Sequence, residues 1–577
     1  MARILPPSES RRRRPPRPDS HPSRRPRRPR RLAVASAAAA ALALAAACAG
    51  PPAAAPGGSA AAYRLSAGTP AAKGDLASFT WALYAEPPTL DYIYSFDYEQ
   101  NMILSNVCES LLRWTPQLKE EPGLAQKVET PDPTTFVFDL RSGVRFHDGG
   151  VMTADDVVYS LKRQMDPALG SYWIQSFQNV ASVTKTGPLQ VTVKLKRPDS
   201  QFPQYMATAA GVVASEAGIK AAGKNYGTSG SLDCTGPYRL GTWTKGQSVE
   251  LDRFDGYWGR PAKSAKVVFD ILTDPSALTN ALLSGEADGS YLVPTESYNR
   301  LRGSGVGTLY FGEGLTTVNV NVTSLKGALG DVRVRRALSM ALDRPGFVKA
   351  GLAGVGTVSN SVSPRAAWDA APPAVQKSAF ADLPSADQDL AQAKALIKAA
   401  GATGKTVTIA TSPIGQDVSL LATAVQAAGT EIGLNVTLKT IAPNAYTALF
   451  SDPKARAGLD MFPETYYLSI TDPMDVLSNF QSSGFQNYAG YSNPAYDKLV
   501  EQADATYDPA ARLAVEAKLQ KIAADQVLWM PAAEWPTSVF LNKRLTGAPT
   551  TISYLYYPWA ADVGAADTAS SGAGAAG

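Results

Sequence analysis

The chain has 577 residues, 45% hydrophobic and 18% charged, with three cysteines and two histidines. That length is too great for a single core, so two or more lobes are expected. One of the two histidines, His21, lies in a strongly basic leader, which leaves only His147 for any Ser–His–Asp or Cys–His catalytic set and argues against a zinc site.

The formal charge of +4 is concentrated at the start, where residues 1–31 hold twelve arginines and only two acids, Glu9 and Asp19. Leu32 to Ala47 follows without a charge, and sixteen residues are too few for an ordinary membrane span. A basic segment, a short apolar run and small residues describe a secretory signal peptide over 1–47. Arg30 and Arg31 leave both the general and the twin-arginine export routes open. Without the leader, 43 basic and 49 acidic residues remain, a net charge of about −6, and nothing favours nucleic acid or an anionic surface as partner. Cys48 ends the apolar run as a disulfide partner, a reactive thiol or a point of cleavage and attachment. If it serves attachment, Cys108 and Cys234 are left as an even pair in an oxidising compartment, either a disulfide or two small buried hydrophobes. Residues 48–77, rich in Ala, Pro and Gly, read as a flexible tether, and 550–577 as a disordered tail.

The globular part opens near Ser78 with FTWAL, a strand. A loop follows in which Tyr84, Tyr92, Tyr94, Phe96 and Tyr98 crowd together, and then a helix with Ile103, Val107 and Leu111 at helical spacing. Phe136, Phe138 and Leu140 alternate with Val137 and Asp139 as a half-buried strand does. Gly149-Gly150 marks a turn, and Thr153 with Asp156 opens a helix whose buried stripe is Val157, Val158 and Leu161. The pair Asp155-Asp156 reads as helix capping. Turns and short strands follow Cys234; AKVVFDILTD is a strand, and PSALTNALLS a helix stopped by glycine. Asp331 caps a helix with Val334, Ala337, Leu338 and Ala341 inward; its Arg333, Arg335 and Arg336 form a solvated face or an anion site. Two helix-then-strand units between Asp389 and Ile441 imply a parallel or mixed sheet covered by helices.

The stretches LRSGVRFHDGGVMTADDVVYSLKR, CTGPYRLGTW with DGYWG, LLSGEAD and DVRVRRALSMALDR occur in this order, with EPPTLDY and NVCESLLRW before them and AKALIKAAG after the last. Together they resemble the family 5 extracellular solute-binding proteins, the dipeptide, oligopeptide and nickel receptors of ABC importers, over about Ser78 to Gly547. The resemblance implies an α/β, bilobal periplasmic-binding-protein type II fold with an extra subdomain in the first lobe. Lobe I is then expected at 78–114 and 230–314, the extra subdomain at 115–229, lobe II at 315–524, and a return to lobe I at 525–549. It also implies a lipidated Cys48, although the leucine usual three residues before such a cysteine is here Ala45, with Leu44 one further back.

Peptide-binding members hold the ligand's amino group with an aspartate in a W-x-x-D stretch shortly before D-P or E-P. The matching passage, ETYYLSITDP, puts Tyr466 at the tryptophan and Ser469 at the aspartate, with Asp472 in the D-P pair. Asp472 substitutes only if the register slips, and otherwise serves a turn or helix cap. The loop TSPIGQD lacks the arginine that dipeptide receptors use for the ligand carboxylate. With both charged anchors missing, the expectation is an oligopeptide held by its backbone, or a neutral solute such as an oligosaccharide stacked on aromatics. Tyr94 and Phe96, Tyr466 and Tyr467, and Asn321 near the lobe crossing are the candidate ligand contacts, with Trp529 and Trp535 in reserve. No catalytic residue, metal or cofactor is expected. The expected protein is an exported monomer, lipid-anchored at the outer face of the membrane, that serves a permease and ATPase or acts as a surface sensor.

Overall fold

TTVNVNV, residues 316–322, alternates small polar and β-branched side chains and is buried throughout, the composition of a strand covered on both faces. In the computed structural model, which describes residues 63–228 and 232–567, it ends the strand that joins the two halves of the molecule. Cys48, the leader, the first part of the tether and the last ten residues lie outside the described residues.

In chain order the elements that position the cleft are β1 (Leu76–Leu83), α1 (Tyr98–Val107), β2 (Ala125–Asp132), β3 (Thr135–Leu140), α2 (Ala154–Met165), β4 (Val180–Gly187), β5 (Gln190–Leu195), β6 (Tyr238–Thr244), β7 (Ser248–Arg253), β8 (Ser264–Ile271), α3 (Pro275–Ser284), β9 (Gly289–Tyr291) and β10 (Gly307–Val322). They continue with α4 (Val332–Ala341), α5 (Leu390–Ala399), β11 (Thr406–Thr411), α6 (Gln416–Glu431), β12 (Asn435–Thr440), β13 (Met461–Tyr467), α7 (Pro494–Asp504), α8 (Pro509–Gln526) and β14 (Trp529–Asn542).

One sheet runs through both lobes in the order β6-β7-β8-β1-β9-β14-β10-β13-β11-β12, with the short strand Thr357–Val358 beside β14. β10 and β14 pair along their whole length, from Gly307 opposite Asn542 to Asn321 opposite Trp529, but the register shifts between Gly312 and Thr316. On one side of that break β14 pairs with β9, and on the other β10 pairs with β13. The break therefore separates lobe I from lobe II. Leu315 sits there at φ +46°, a left-handed conformation that costs a β-carbon residue energy.

The extra subdomain carries a separate antiparallel sheet, β2-β3-β5-β4. Phe136, Phe138 and Leu140 face its core. Thr153 and Asp156 form a reciprocal capping box at the start of α2. A disulfide joins Cys108, at the end of α1, to Cys234 ahead of β6, and so closes the chain around the subdomain. His147 is structural: its Nε2 lies 3.0 Å from the Gly236 carbonyl, its ring packs on Phe254, and burial pushes it down to about 4. The three arginines of α4 are engaged as well. Arg335 is buried and donates to the Gln526 and Leu329 carbonyls, Arg336 to Asp525 O, and Arg333 to Asp331 and Ala399 O.

Two expected boundaries are corrected. The tether does not extend to residue 77, because Leu65, Gly68 and Gly74 bridge to Phe311, Pro549 and Ala565. The tail does not begin at 550. Tyr554 and Trp559 are fully buried, Tyr554 stacks on Tyr291 at 3.8 Å, and the Trp559 indole donates to Met102 O. Ala, Gly and Pro around these segments resemble linker composition, yet partners several hundred residues away order them.

Gly312 lies where a Cβ would overlap the Thr550 carbonyl. Gly312→Ala is expected to destabilise the chain by about 1–3 kcal/mol through overpacking, read as a lower urea midpoint with an unchanged slope.

Candidate functional site

The tyrosine-rich loop after β1 is pinned from behind. Asp91 forms a two-pronged ion pair with Arg163 of α2, at 2.6 and 2.5 Å, and the buried Tyr92 donates to Ser160 O. Tyr94 donates to Leu169 O at 2.7 Å, and Tyr94 and Phe96 both meet Tyr172 edge-on. Asp97 then caps α1 by accepting from the Tyr98 amide at 2.8 Å.

Across the seam, β13 ends on Tyr466 and Tyr467. The Tyr467 hydroxyl donates to Phe96 O at 2.5 Å and lies 3.3 Å from the Tyr556 hydroxyl, while its ring packs on Tyr98 at 4.9 Å. Tyr466 turns the other way: its hydroxyl donates to Asp475 O, accepts from Asn479, and its ring meets Trp529 edge-on at 5.1 Å. Ser469 lies beside this pair, its amide donating to Asp475 Oδ2 at 2.8 Å and its hydroxyl 3.4 Å from that of Tyr556. Phe96, Tyr467 and Ser469 thus take part in contacts between the lobes, whereas Tyr94 is held within lobe I and Tyr466 within lobe II.

Two candidates lie elsewhere. Asn321 is fully buried and donates to Glu464, which also accepts from Tyr488. Burial pushes Glu464 up to about 8. Asp472 caps Met474 and pairs with Arg512 at 2.9 Å, inside lobe II, so it performs the turn and ion-pair role rather than facing the cleft. Trp529 is buried and stacks on Tyr488, and Trp535 stands opposite Thr316 at the register break.

Sequence reasoning passed over several groups at the seam. Glu99 accepts from Tyr84 at 2.9 Å, and burial raises it to about 8. Asp417, at the start of α6, accepts from Thr465 at 2.8 Å, and burial raises it too. Asp475 is pushed up to about 7, again by burial first. The residues TSPIGQD contained the signal for Asp417, but the motif draws attention to an arginine that is absent rather than to the acid present.

A second set of contacts ties the extra subdomain to lobe II. Arg197 pairs with Glu501 at 3.0 Å, Ser200 N donates to Asp504 O, Tyr205 to Asp475, and Tyr507 to Pro133 O. Asp199 and Asp504 face each other here among Arg197, Glu501 and Asp472; burial raises both, Asp504 to about 8. A carboxyl raised in the closed protein binds protons that the opened or unfolded chain releases, so stability falls as pH rises from the ordinary carboxylate range, about 4, through about 8. The melting temperature is expected to decline over that window, and Asp504→Asn to flatten the decline; an unchanged slope in the variant excludes this latch as a source.

The family model for bacterial extracellular solute-binding proteins, family 5 Middle, matches residues 119–488. The glutathione-binding protein GsiB of Escherichia coli (strain K12) is 25% identical over 470 residues, covering 80% of this chain and 89% of that protein. Among solved structures, the oligopeptide-binding protein AppA of Bacillus subtilis with a nonapeptide gives a TM-score of 0.76 at 20% identity, covering 86% of this chain and all (100%) of that one. DppA of Helicobacter pylori with the peptide STSA gives 0.75 at 21% identity, covering 86% and 99%. The murein tripeptide binding protein MppA of Escherichia coli gives a TM-score of 0.74 at 22% identity, covering 86% of this chain and 99% of that one. The chain belongs to the family 5 bacterial extracellular solute-binding proteins, substrate-binding components of ABC importers and not enzymes.

Proposed function

We propose that the mature chain is a monomeric, lipid-anchored receptor that captures an oligopeptide by lobe closure and delivers it to a membrane permease and its ATPase. The observation that carries this reading is the contact of Tyr467 with the Phe96 carbonyl, which joins the two lobes at the wall where the family reads its ligand. Beside it stands Ser469 in place of the ammonium-gripping aspartate, and the loop 411–417 offers no arginine. A free dipeptide would find neither the aspartate nor the arginine of that motif, and burying its carboxylate without a cation is costly. A longer peptide is held instead through its backbone amides and bridging water, with tyrosine faces beside its side chains. The peptide STSA on DppA, the nonapeptide on AppA and the glutathione binding of GsiB support this class.

Closure itself is the mechanism: the ligand binds the closed arrangement better than the open one and shifts the population by that difference. The acyl group on Cys48 holds the receptor at the cell surface, and Ala/Pro/Gly-rich chain after it supplies reach.

A thermal-shift screen of dipeptides, longer peptides and oligosaccharides tests the ligand class. Longer peptides at a hundredfold excess over Kd are expected to stabilise the protein by about 2.7 kcal/mol; stabilisation by sugars alone, or strong binding of a dipeptide, overturns the reading. Tyr467→Phe removes the hydroxyl that reaches Phe96 and is expected to weaken peptide binding by about 1 kcal/mol, roughly fivefold in Kd. Cys48→Ala is expected to abolish incorporation of labelled palmitate and to release the protein into the medium; retention of label on the variant rules out Cys48 as the anchor.

A further inference from the structure

Three carboxylates meet the seam from different helices. Asp97 and Glu99 stand at the start of α1 in lobe I, and Asp417 at the start of α6 in lobe II. Among the described residues none of the three has an arginine, lysine or histidine as hydrogen-bond or ion-pair partner: Asp97 accepts from its capping amide, Glu99 from Tyr84, and Asp417 from Thr465. Tyr98 lies between the two lobes' acids and feels both Asp97 and Asp417. Capping accounts for Asp97, and the helix dipole favours an acid in the first turn of α6. Neither accounts for the same sign of charge facing itself across a seam that closes.

A second observation points into the same place. The Tyr554 hydroxyl is fully buried and has no hydrogen-bond partner among the described residues, and its ionisable neighbours there are Tyr98, Asp97, Glu99 and Tyr291. Its ring is fixed by the stack on Tyr291 and its carbonyl by Ser105, so the hydroxyl has a set direction and no protein group to satisfy it. Leaving a buried hydroxyl unpaired costs about 1–3 kcal/mol. A group that accepts the acids' negative charge and also donates to a phenol oxygen satisfies the whole cluster. A metal ion is a poor fit, because among the described residues no three His, Cys, Asp or Glu side chains converge to hold one. An organic cation, with several N–H donors and a spread of reach, does fit, and the rings of Tyr98, Tyr467 and Tyr556 give it π faces.

We propose that the junction of Asp97, Glu99 and Asp417 receives an ammonium or guanidinium group of the ligand, so that this receptor selects cationic peptides. The inference rests on the peptide-receptor reading above. Burial raises all three carboxyls, so the seam holds them away from the charged state that an entering cation would restore.

The test is calorimetric titration of the full mature chain with four tetrapeptides and one polyamine. The peptides are Ac-Ala-Lys-Ala-Lys-amide, its glutamine counterpart, its glutamate counterpart, and the glutamine peptide with a free amino terminus; the polyamine is spermidine. The lysine peptide or the free-amine peptide is expected to bind at least about tenfold more tightly than the neutral glutamine peptide, a 1.4 kcal/mol difference. Asp417→Asn and Asp97→Asn, isosteric and checked by thermal melts, are each expected to collapse that ratio to within about threefold. A neutral or glutamate peptide binding as well as the lysine peptide overturns the charge preference and leaves the peptide reading standing. Spermidine binding without any peptide keeps the charge preference and sinks the peptide reading. Silence of every cationic probe, or a ratio unchanged in both variants, overturns the proposal.

Discussion

Both lobes hang on one ladder, the pairing of β10 with β14, and on the wider of its two interruptions, between Gly312 and Thr316. Hydrogen bonds on either side of the break make each half of the sheet stiff. At the break itself, Glu313, Gly314 and Leu315 fall outside the register with β14, Leu315 is left-handed, and Gly312 sits against the Thr550 carbonyl. A hinge needs only a few residues that absorb a change in φ and ψ while the packed parts move as bodies. The segment FGEGL provides them, and the rest of the molecule stiffens the bodies. In lobe I the disulfide, the stack of Tyr291 on Tyr554 and the buried Trp559 lock the terminal segment onto the sheet. In lobe II, Arg344, buried among carbonyl oxygens, and the Asp472–Arg512 pair do the same.

The acids divide according to that architecture. Within a lobe, several buried carboxylates have cations, Asp91 with Arg163, Asp472 with Arg512 and Asp288 with Arg544, while Glu464 and Glu109 are held by neutral donors. At the seam, among the described residues, Glu99, Asp417 and Asp475 have no ion-pair partner, and the facing Asp199 and Asp504 share only Arg197; burial raises all five. Pairs within a lobe stay formed whether the lobes are open or shut. Unpaired acids at the seam are solvated when it opens and desolvated when it shuts, so they penalise closure of an empty receptor. A receptor must not close without its cargo, and this distribution of charge supplies that bias.

What was legible in the sequence was local. The alternation Phe136, Phe138, Leu140, the cap at Thr153, the glycine stop after α3 and the helix–strand order of lobe II each depend on residues a few positions apart, and each lies where expected. The segment 550–567 was not legible, because what orders it is Tyr291, Met102 and Asn106, far away in the chain. The site divides the same way. Phe96 and Tyr467 could be singled out as aromatics of the two lobes, and they meet across the seam. Asn321 could not be told from a cleft residue, since polarity alone does not say which face of a doubly covered strand a side chain takes; its face holds Glu464. Asp417 was in view but masked by a motif expectation of the opposite charge.

The position of Ser469 gives that reversal a physical sense. A single aspartate at this point of lobe II would grip an ammonium in the open state and in the closed state alike, and contacts equal in two states do nothing to shift between them. Acids split between α1 of lobe I and α6 of lobe II surround one cation only when the seam closes. Their attraction to it is then a difference between the states, and it grows as water leaves and the local dielectric falls. Moving the charge from one strand end to both sides of the seam turns recognition of a cation from a tethering contact into a term that drives closure.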